Sequence, residues 1–304
     1  MEDYPKTLLE FEKRFTTEEA CREYLYQIRW PNGFACPFCG HRKYWGSSIG
    51  QYRCSNCDRR ISLTAGTIFQ DSRIPLQIWF QAIWQLVSQK HGISALGLQR
   101  VLGIKRYETV WTMLHKLRIA MIRPGRDRLV GTVEVDEIYI GGRHSGKRGR
   151  GAKGKTLVVI AVEDKGKRPG RIRLNKVKDA SGQSLTQAVK ECVESKSEVC
   201  TDDWGGYNQL SSCDYKHTVI RKTADIGENL LPLANIVASL LKRWLQGTLQ
   251  GSPRASYLEY YLDEFVFRFN RRTSRSRGLL FYRLINQAVS IAPIKGQNIR
   301  EKQH

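Results

Sequence analysis

Long hydrophobic runs are missing from this sequence. The longest uninterrupted apolar run, Leu157 to Val162, has six residues, whereas a bilayer-spanning helix needs about twenty. The opening Met1-Glu2-Asp3-Tyr4-Pro5 is polar and acidic and has no apolar core of a secretory leader. Membrane insertion and export are therefore not expected, and a cytoplasmic protein is. Acids are also scarce. There are 29 Asp plus Glu against 50 Lys plus Arg, a net charge of +21 over 304 residues. Such an excess points to a polyanionic partner, most simply nucleic acid. No repeat of solenoid period is visible. What is present suffices for packed cores: 41% hydrophobic and 10% aromatic residues, in a length suited to two or three domains.

Four of the eight cysteines have a pattern. Cys36-x2-Cys39 and Cys54-x2-Cys57 are two short knuckles with fourteen residues between them. A hairpin-length spacer lets four thiolates meet at tetrahedral corners, the arrangement one structural Zn²⁺ requires. The alternative is a redox pair or a chance cluster. Pro37 and Gly40 suit the first tight turn, and Tyr44, Trp45, Tyr52 and Ile61 form strands that would cover the metal. Cys21, Cys192, Cys200 and Cys213 share no spacing and read as ordinary thiols.

The order of elements suggests an α/β protein. Residues 1–30 are helical, with Thr16-Thr17-Glu18-Glu19 as a helix start, and the ribbon completes a first region, 1–70. A second, 71–125, opens with a helix from Pro75. There Ser94 caps a short helix stopped at Gly103, and a further helix runs from Lys105 to Ile122. This is the helix-turn-helix pattern, with Arg106, Tyr107, Thr109 and Thr112 where base contacts would arise. A helical packing hairpin satisfies the same spacing equally well. Pro124-Gly125 marks a boundary. Beyond it lie strands at 132–140, 156–162, 171–177, 198–201 and about 217–221, with helices at 182–194, 232–247, 254–272 and 278–289. That order implies a mixed sheet flanked by helices over 126–290, followed by a tail, 291–304. Six basic residues and four glycines, with no acid, lie between Arg143 and Lys155: Arg143, Lys147, Arg148, Arg150, Lys153 and Lys155. They make a basic loop suited to phosphates. Arg268, Arg271, Arg272, Arg275 and Arg277 form a second cluster.

Asp136 stands inside an apolar strand, on the face opposite Val133, Val135 and Glu137. Asp202 ends another strand before Trp204-Gly205-Gly206. Two such aspartates on one sheet can hold a pair of divalent ions for phosphoryl transfer. The helix from Pro232 carries a polar stripe of Asn235, Ser239, Lys242 and Gln246 opposite Ile236, Val237, Leu240, Leu241, Trp244 and Leu245. Asn235 can offer an oxygen to Mg²⁺ and Lys242 a charge to phosphate. Spacing alone equally allows a helix-start residue and a surface lysine, and leaves Asp203 and Glu228 as rival acids.

The ribbon, with Leu63-Thr64-Ala65-Gly66-Thr67-Ile68-Phe69 after it, resembles the front end of bacterial insertion-sequence transposases. Val133-Glu134-Val135-Asp136-Glu137-Ile138-Tyr139-Ile140-Gly141-Gly142 and Thr201-Asp202-Asp203-Trp204-Gly205-Gly206-Tyr207 resemble their two catalytic aspartate motifs. The stretches Ser239–Leu245 and Tyr261–Arg272 resemble their C-terminal signature. The resemblance is to ISXO2-like members of the DDE superfamily with an N-terminal zinc ribbon. It implies a ribonuclease-H-like catalytic domain in which Asp136 and Asp202 are the first two catalytic acids. Asn235 falls at the variable third position and Lys242 at the basic residue after it. It further implies two catalytic Mg²⁺ or Mn²⁺ ions, and duplex DNA, as element ends and target, bound by a homodimer or higher oligomer. Asn is a neutral ligand, weaker for a hard cation. The alternative is thus a catalytically weak or inactive DNA-binding regulator derived from a transposase, and a stand-alone nuclease of the same fold is a third reading.

Overall fold

The computed structural model describes residues 2–46, 50–123, 125–142, 154–166, 168–222, 229–249 and 253–301. The chain divides into two compact units: Met1–Arg123 with Ser274–His304, and Pro124–Thr273.

The first unit opens with α1 (Leu8–Arg14) and α2 (Glu18–Arg29). Both are capped by threonine: Thr7 accepts from the Glu10 amide and Thr17 from the Ala20 amide, each satisfying a donor with no partner inside the helix. Three short antiparallel strands follow, β1 (Tyr44–Gly46), β2 (Gln51–Cys54) and β3 (Arg60–Ser62). Then come α3 (Leu76–Ser88), α4 (Ala95–Leu102) and α5 (Tyr107–Ala120). Ser94 caps α4 by accepting from the Gly97 amide, and Gly103 ends it at φ +64°, a left-handed conformation that glycine adopts without a Cβ clash. Both roles agree with the sequence reading.

The second unit is a five-stranded mixed sheet. Its strands are β4 (Thr132–Ile140), β5 (Thr156–Asp164), β6 (Pro169–Val177), β7 (Glu198–Thr201) and β8 (Lys216–Val219), ordered β6-β5-β4-β7-β8. The β4–β5 and β5–β6 pairs are antiparallel, and the β4–β7 and β7–β8 pairs parallel. Helix α6 (Gly182–Cys192) and a 3-10 helix (Gly205–Ser212) cover one face. There Val133, Val135, Val159, Leu185, Val189 and Tyr207 share a buried cluster. Helices α7 (Pro232–Leu249) and α8 (Leu258–Phe269) pack on the other side. Because β5 has a helix on each face, its residues 157–163 are buried without alternation. This is the ribonuclease-H-like arrangement the motifs implied.

The division between units differs from the expected boundaries. Helices α9 (Arg277–Ser290) and α10 (Gly296–Glu301) belong to the first unit rather than to the sheet and a tail. The reason is apolar: Phe281 is fully buried among Phe11, Phe15, Tyr24, Phe80 and Trp84, with ring centroids 5.3–6.3 Å away. Among the described residues, no helix is long and apolar enough to cross a membrane.

Candidate functional site

The four ribbon cysteines converge. Their Sγ atoms all lie within 4.8 Å of one another. Cys36 and Cys57 are 3.7 Å apart, and Cys39 and Cys54 are 3.5 Å apart. Zinc–thiolate bonds of about 2.3 Å give a tetrahedron with edges of roughly 3.8 Å, so the cluster fits one zinc ion. The two knuckles have the same backbone. The Gly40 amide donates to the Cys36 carbonyl at 2.9 Å, the Asp58 amide to the Cys54 carbonyl at 3.0 Å, and both Gly40 and Asp58 take positive φ. The His41 amide pulls the Cys39 thiol down to about 6; at Cys57 the Arg59 amide acts the same way, but desolvation and the neighbouring thiols outweigh it and push that thiol up to about 11. Beside the cluster, Tyr26, Trp30, Phe34, Tyr44 and Tyr52 form a connected aromatic group with centroid separations of 4.9–5.7 Å. Ile61 is buried as expected. Tyr44 and Trp45 are not: both are exposed, Trp45 with the Arg53 guanidinium 5.6 Å from its ring. Tyr26, Trp30 and Phe34, which the sequence reading missed, supply apolar cover from α2 and the loop after it.

On the sheet, alternation along β4 separates two acids by face. Glu137 points to the α6 side, where the buried Tyr207 hydroxyl donates to it at 2.8 Å. Asp136 shares the other face with Glu134. The Glu134 carboxylate accepts from the Leu233 and Ala234 amides at 2.8 and 2.9 Å, and so holds the first turn of α7 against β4. Burial pushes the Glu134 carboxyl up, and those two amides pull it back. The last β4–β7 pair is Glu134 with Cys200. Asp136 follows Glu134 by two residues on β4, and Asp202 follows Cys200 by two residues, just past the end of β7. Both also act on one group: the Tyr207 hydroxyl is held well above its ordinary range by burial, then by Glu137, Asp136 and Asp202. Asp202 Oδ1 accepts from the Trp204 amide at 3.1 Å, which orients it at the strand end.

Asn235 is exposed one turn into α7, and Lys242 is exposed two turns further on. The Asn235 amide nitrogen donates to Asn229 at 2.7 Å, leaving its carbonyl oxygen as the donor atom to a cation. Carboxylate and amide oxygens are the donor types a hard divalent cation takes, and Asn235 stands two residues beyond Leu233, whose amide Glu134 accepts. Of the rival acids, Asp203 is turned outward in an exposed pair with Arg221, and Glu228 lies outside the described residues.

The basic candidates fare unevenly. Arg106 is exposed at the start of α5, and Lys155 is partly exposed beside β5. Arg143, Lys147, Arg148, Arg150 and Lys153 lie outside the described residues. Of the five arginines expected as a second phosphate-binding cluster, Arg275 and Arg277 belong to the first unit, with Arg275 exposed, and the other three are engaged within the sheet unit. Arg268 pairs with the fully buried Glu264 at 2.8 Å. Arg271 lies over the Phe267 ring and Arg272 over the Phe269 ring, each at 4.1 Å. Arg272 also donates to the carbonyls of Phe269, Gly170 and Pro169. Helix α8 is buried on nearly all sides, so cations at its end bond inward.

A four-cysteine ribbon followed by a ribonuclease-H-like sheet defines a class, the DDE transposases with an N-terminal zinc ribbon. Residues 128–270 match the ISXO2-like transposase domain, and residues 16–60 match the transposase zinc-ribbon domain. The chain thus carries both ISXO2-like domains, the zinc ribbon first and the transposase domain after it. It is also 27% identical, over 255 residues, to an uncharacterized protein in transposable element ISH50 of Halobacterium salinarum; the match covers 77% of this chain and 85% of the relative.

Proposed function

We propose that the chain is a DNA transposase that binds the terminal inverted repeats of its insertion sequence and carries out strand cleavage and strand transfer. The observation that carries this reading is the β4–β7 register, whose last pair, Glu134 with Cys200, comes two residues before Asp136 on one strand and before Asp202 at the end of the other. Bound Mg²⁺ or Mn²⁺ would activate the attacking oxygen and stabilise the leaving one. Asp136 and Asp202 would hold those ions, Asn235 would add a neutral oxygen donor, and Lys242 would hold a phosphate of the strand. No side-chain nucleophile is needed, because positioning and charge neutralisation supply most of the rate. The ribbon, the α4–α5 pair with Arg106, and the basic stretch from Arg143 to Lys155 would grip duplex DNA as a dimer or higher oligomer.

The test is cleavage of labelled end DNA with Mg²⁺ or Mn²⁺. Loss of a group that merely supports a metal ligand costs about 10- to 100-fold, so Asp136→Ala and Asp202→Ala should each lose at least about 100-fold. Full activity in either variant removes the metal site. One observation favours the regulator reading, the neutral amide at position 235. That reading predicts end binding by the unmodified protein with no metal-dependent cleavage in the same assay.

A further inference from the structure

A second site lies in the unit built from Met1–Arg123 and Ser274–His304. A cavity of about 540 Å³ opens between the 72–74 loop, α5 and the end of the chain. Four cations line it, Arg73, Arg106, Lys116 and Arg300, against a single lining acid, Glu108. Lys116 donates to the Ile68 carbonyl at 3.2 Å and senses Asp71 nearby. Among the described residues, neither Arg73 nor Arg106 has an ion-pair partner. Folding does not bring like charges around one hollow for stability, since their repulsion opposes it; an anion reverses the sign. The Thr112 hydroxyl, also in the lining, is buried with no hydrogen-bond partner among the described residues. Such an orphan group costs stability unless a ligand satisfies it.

We propose that this cavity takes one nucleotide of a DNA strand that has left the duplex. The arginines would hold its phosphate, and Ile74 and Met113 would carry its sugar or base. The volume falls in the range of pockets that enclose a small molecule. Intact duplex has a convex surface with its bases stacked away, so its phosphates can reach the exposed rim, where Arg106 lies, but its sugars and bases cannot enter the hollow, whereas those of an unpaired nucleotide can. This rests on the DNA-binding reading above and extends it from duplex to an unpaired strand.

The experiment uses the full chain and fluorescence anisotropy with two probes: a blunt duplex, and the same duplex with a short single-stranded extension. The extended probe should bind about tenfold more tightly, the order expected for one captured nucleotide. Arg73→Ala and Arg300→Ala remove exposed side chains and should leave the melting curve unchanged. Each should cut the preference to about twofold or less while blunt-duplex affinity changes much less. Equal binding of the two probes by the unmodified protein, or a preference untouched in both variants, overturns the proposal. Failure of the unmodified protein to bind either probe would instead overturn the DNA-binding reading beneath it.

Discussion

Glu163, at the end of β5, is almost wholly buried and charged. Its carboxylate accepts from Arg171 Nη2 at 2.6 Å, from Arg171 Nε at 3.1 Å, and from the Val130 and Arg171 amides, both at 3.2 Å. Burial alone would raise its pKa, but the Arg171 side chain and the two amides outweigh it, and the carboxyl is held below its ordinary 4.5. The Val130 contact matters for function because it anchors the chain just before β4, the strand that carries Asp136. A lowered carboxylate pKa favours the folded state above the unfolded-state value and ceases to do so as pH falls through the folded-state value. Removing one partner of a buried pair costs about 3–5 kcal/mol; Arg171 is 38% exposed, so solvent screening reduces this to about 2–3 kcal/mol. Urea unfolding of Glu163→Ala at neutral pH should show that loss. The gap to the unmodified protein should hold above about pH 4.5 and close below it.

At the scale of elements, α7 depends on a carboxylate from another strand. A helix N-terminus leaves amides without partners, and Glu134 accepts from two of them while facing the positive end of the helix dipole. Charge-assisted bonds of this kind contribute about 1.5–3 kcal/mol, so Glu134→Ala should destabilise the unit by about 2–3 kcal/mol. Glu134→Gln, which keeps one acceptor oxygen, should lose roughly half as much. Hydrogen exchange reads the effect locally: the Leu233 and Ala234 amides should exchange much faster in Glu134→Ala, and β5 amides far less so. Unchanged protection at Leu233 and Ala234 would show that packing alone holds the helix. Local signals made much of this region readable beforehand. The polar stripe Asn235, Ser239, Lys242 and Gln246 is exposed as its spacing required. The α4 caps, Ser94 and Gly103, followed from backbone chemistry alone. Glu134 did not, because in sequence it is one more acid in the motif, and its partners lie 99 and 100 residues away. Ile236 and Leu240, expected in the core, are exposed because the buried face of α7 is narrower than its apolar stripe. The 3-10 helix that carries Tyr207 has no apolar period to announce it.

At the scale of the whole chain, its last thirty residues complete the unit its first residues begin. Sequence order suggested otherwise, because amphipathic periodicity shows that a helix has an apolar face but not which partner covers it. Phe281 on α9 settles the partner: its ring sits at the centre of aromatic side chains from α1, α2 and α3. Gly278, one turn earlier, allows the approach, since a Cβ there would run into the Pro5 carbonyl oxygen. Truncating a buried phenylalanine to alanine costs about 3–5 kcal/mol through lost burial and the cavity left behind. Phe281→Ala should therefore loosen residues 1–123, far away in sequence, and spare the sheet of residues 124–273. Limited proteolysis followed by mass spectrometry distinguishes the cases. Early cuts within α1 to α3, with the sheet unit persisting as a protected fragment, are expected. Early cuts within β4 to β8 would mean that α9 stabilises the sheet instead, and that the division after Thr273 does not describe how the chain comes apart.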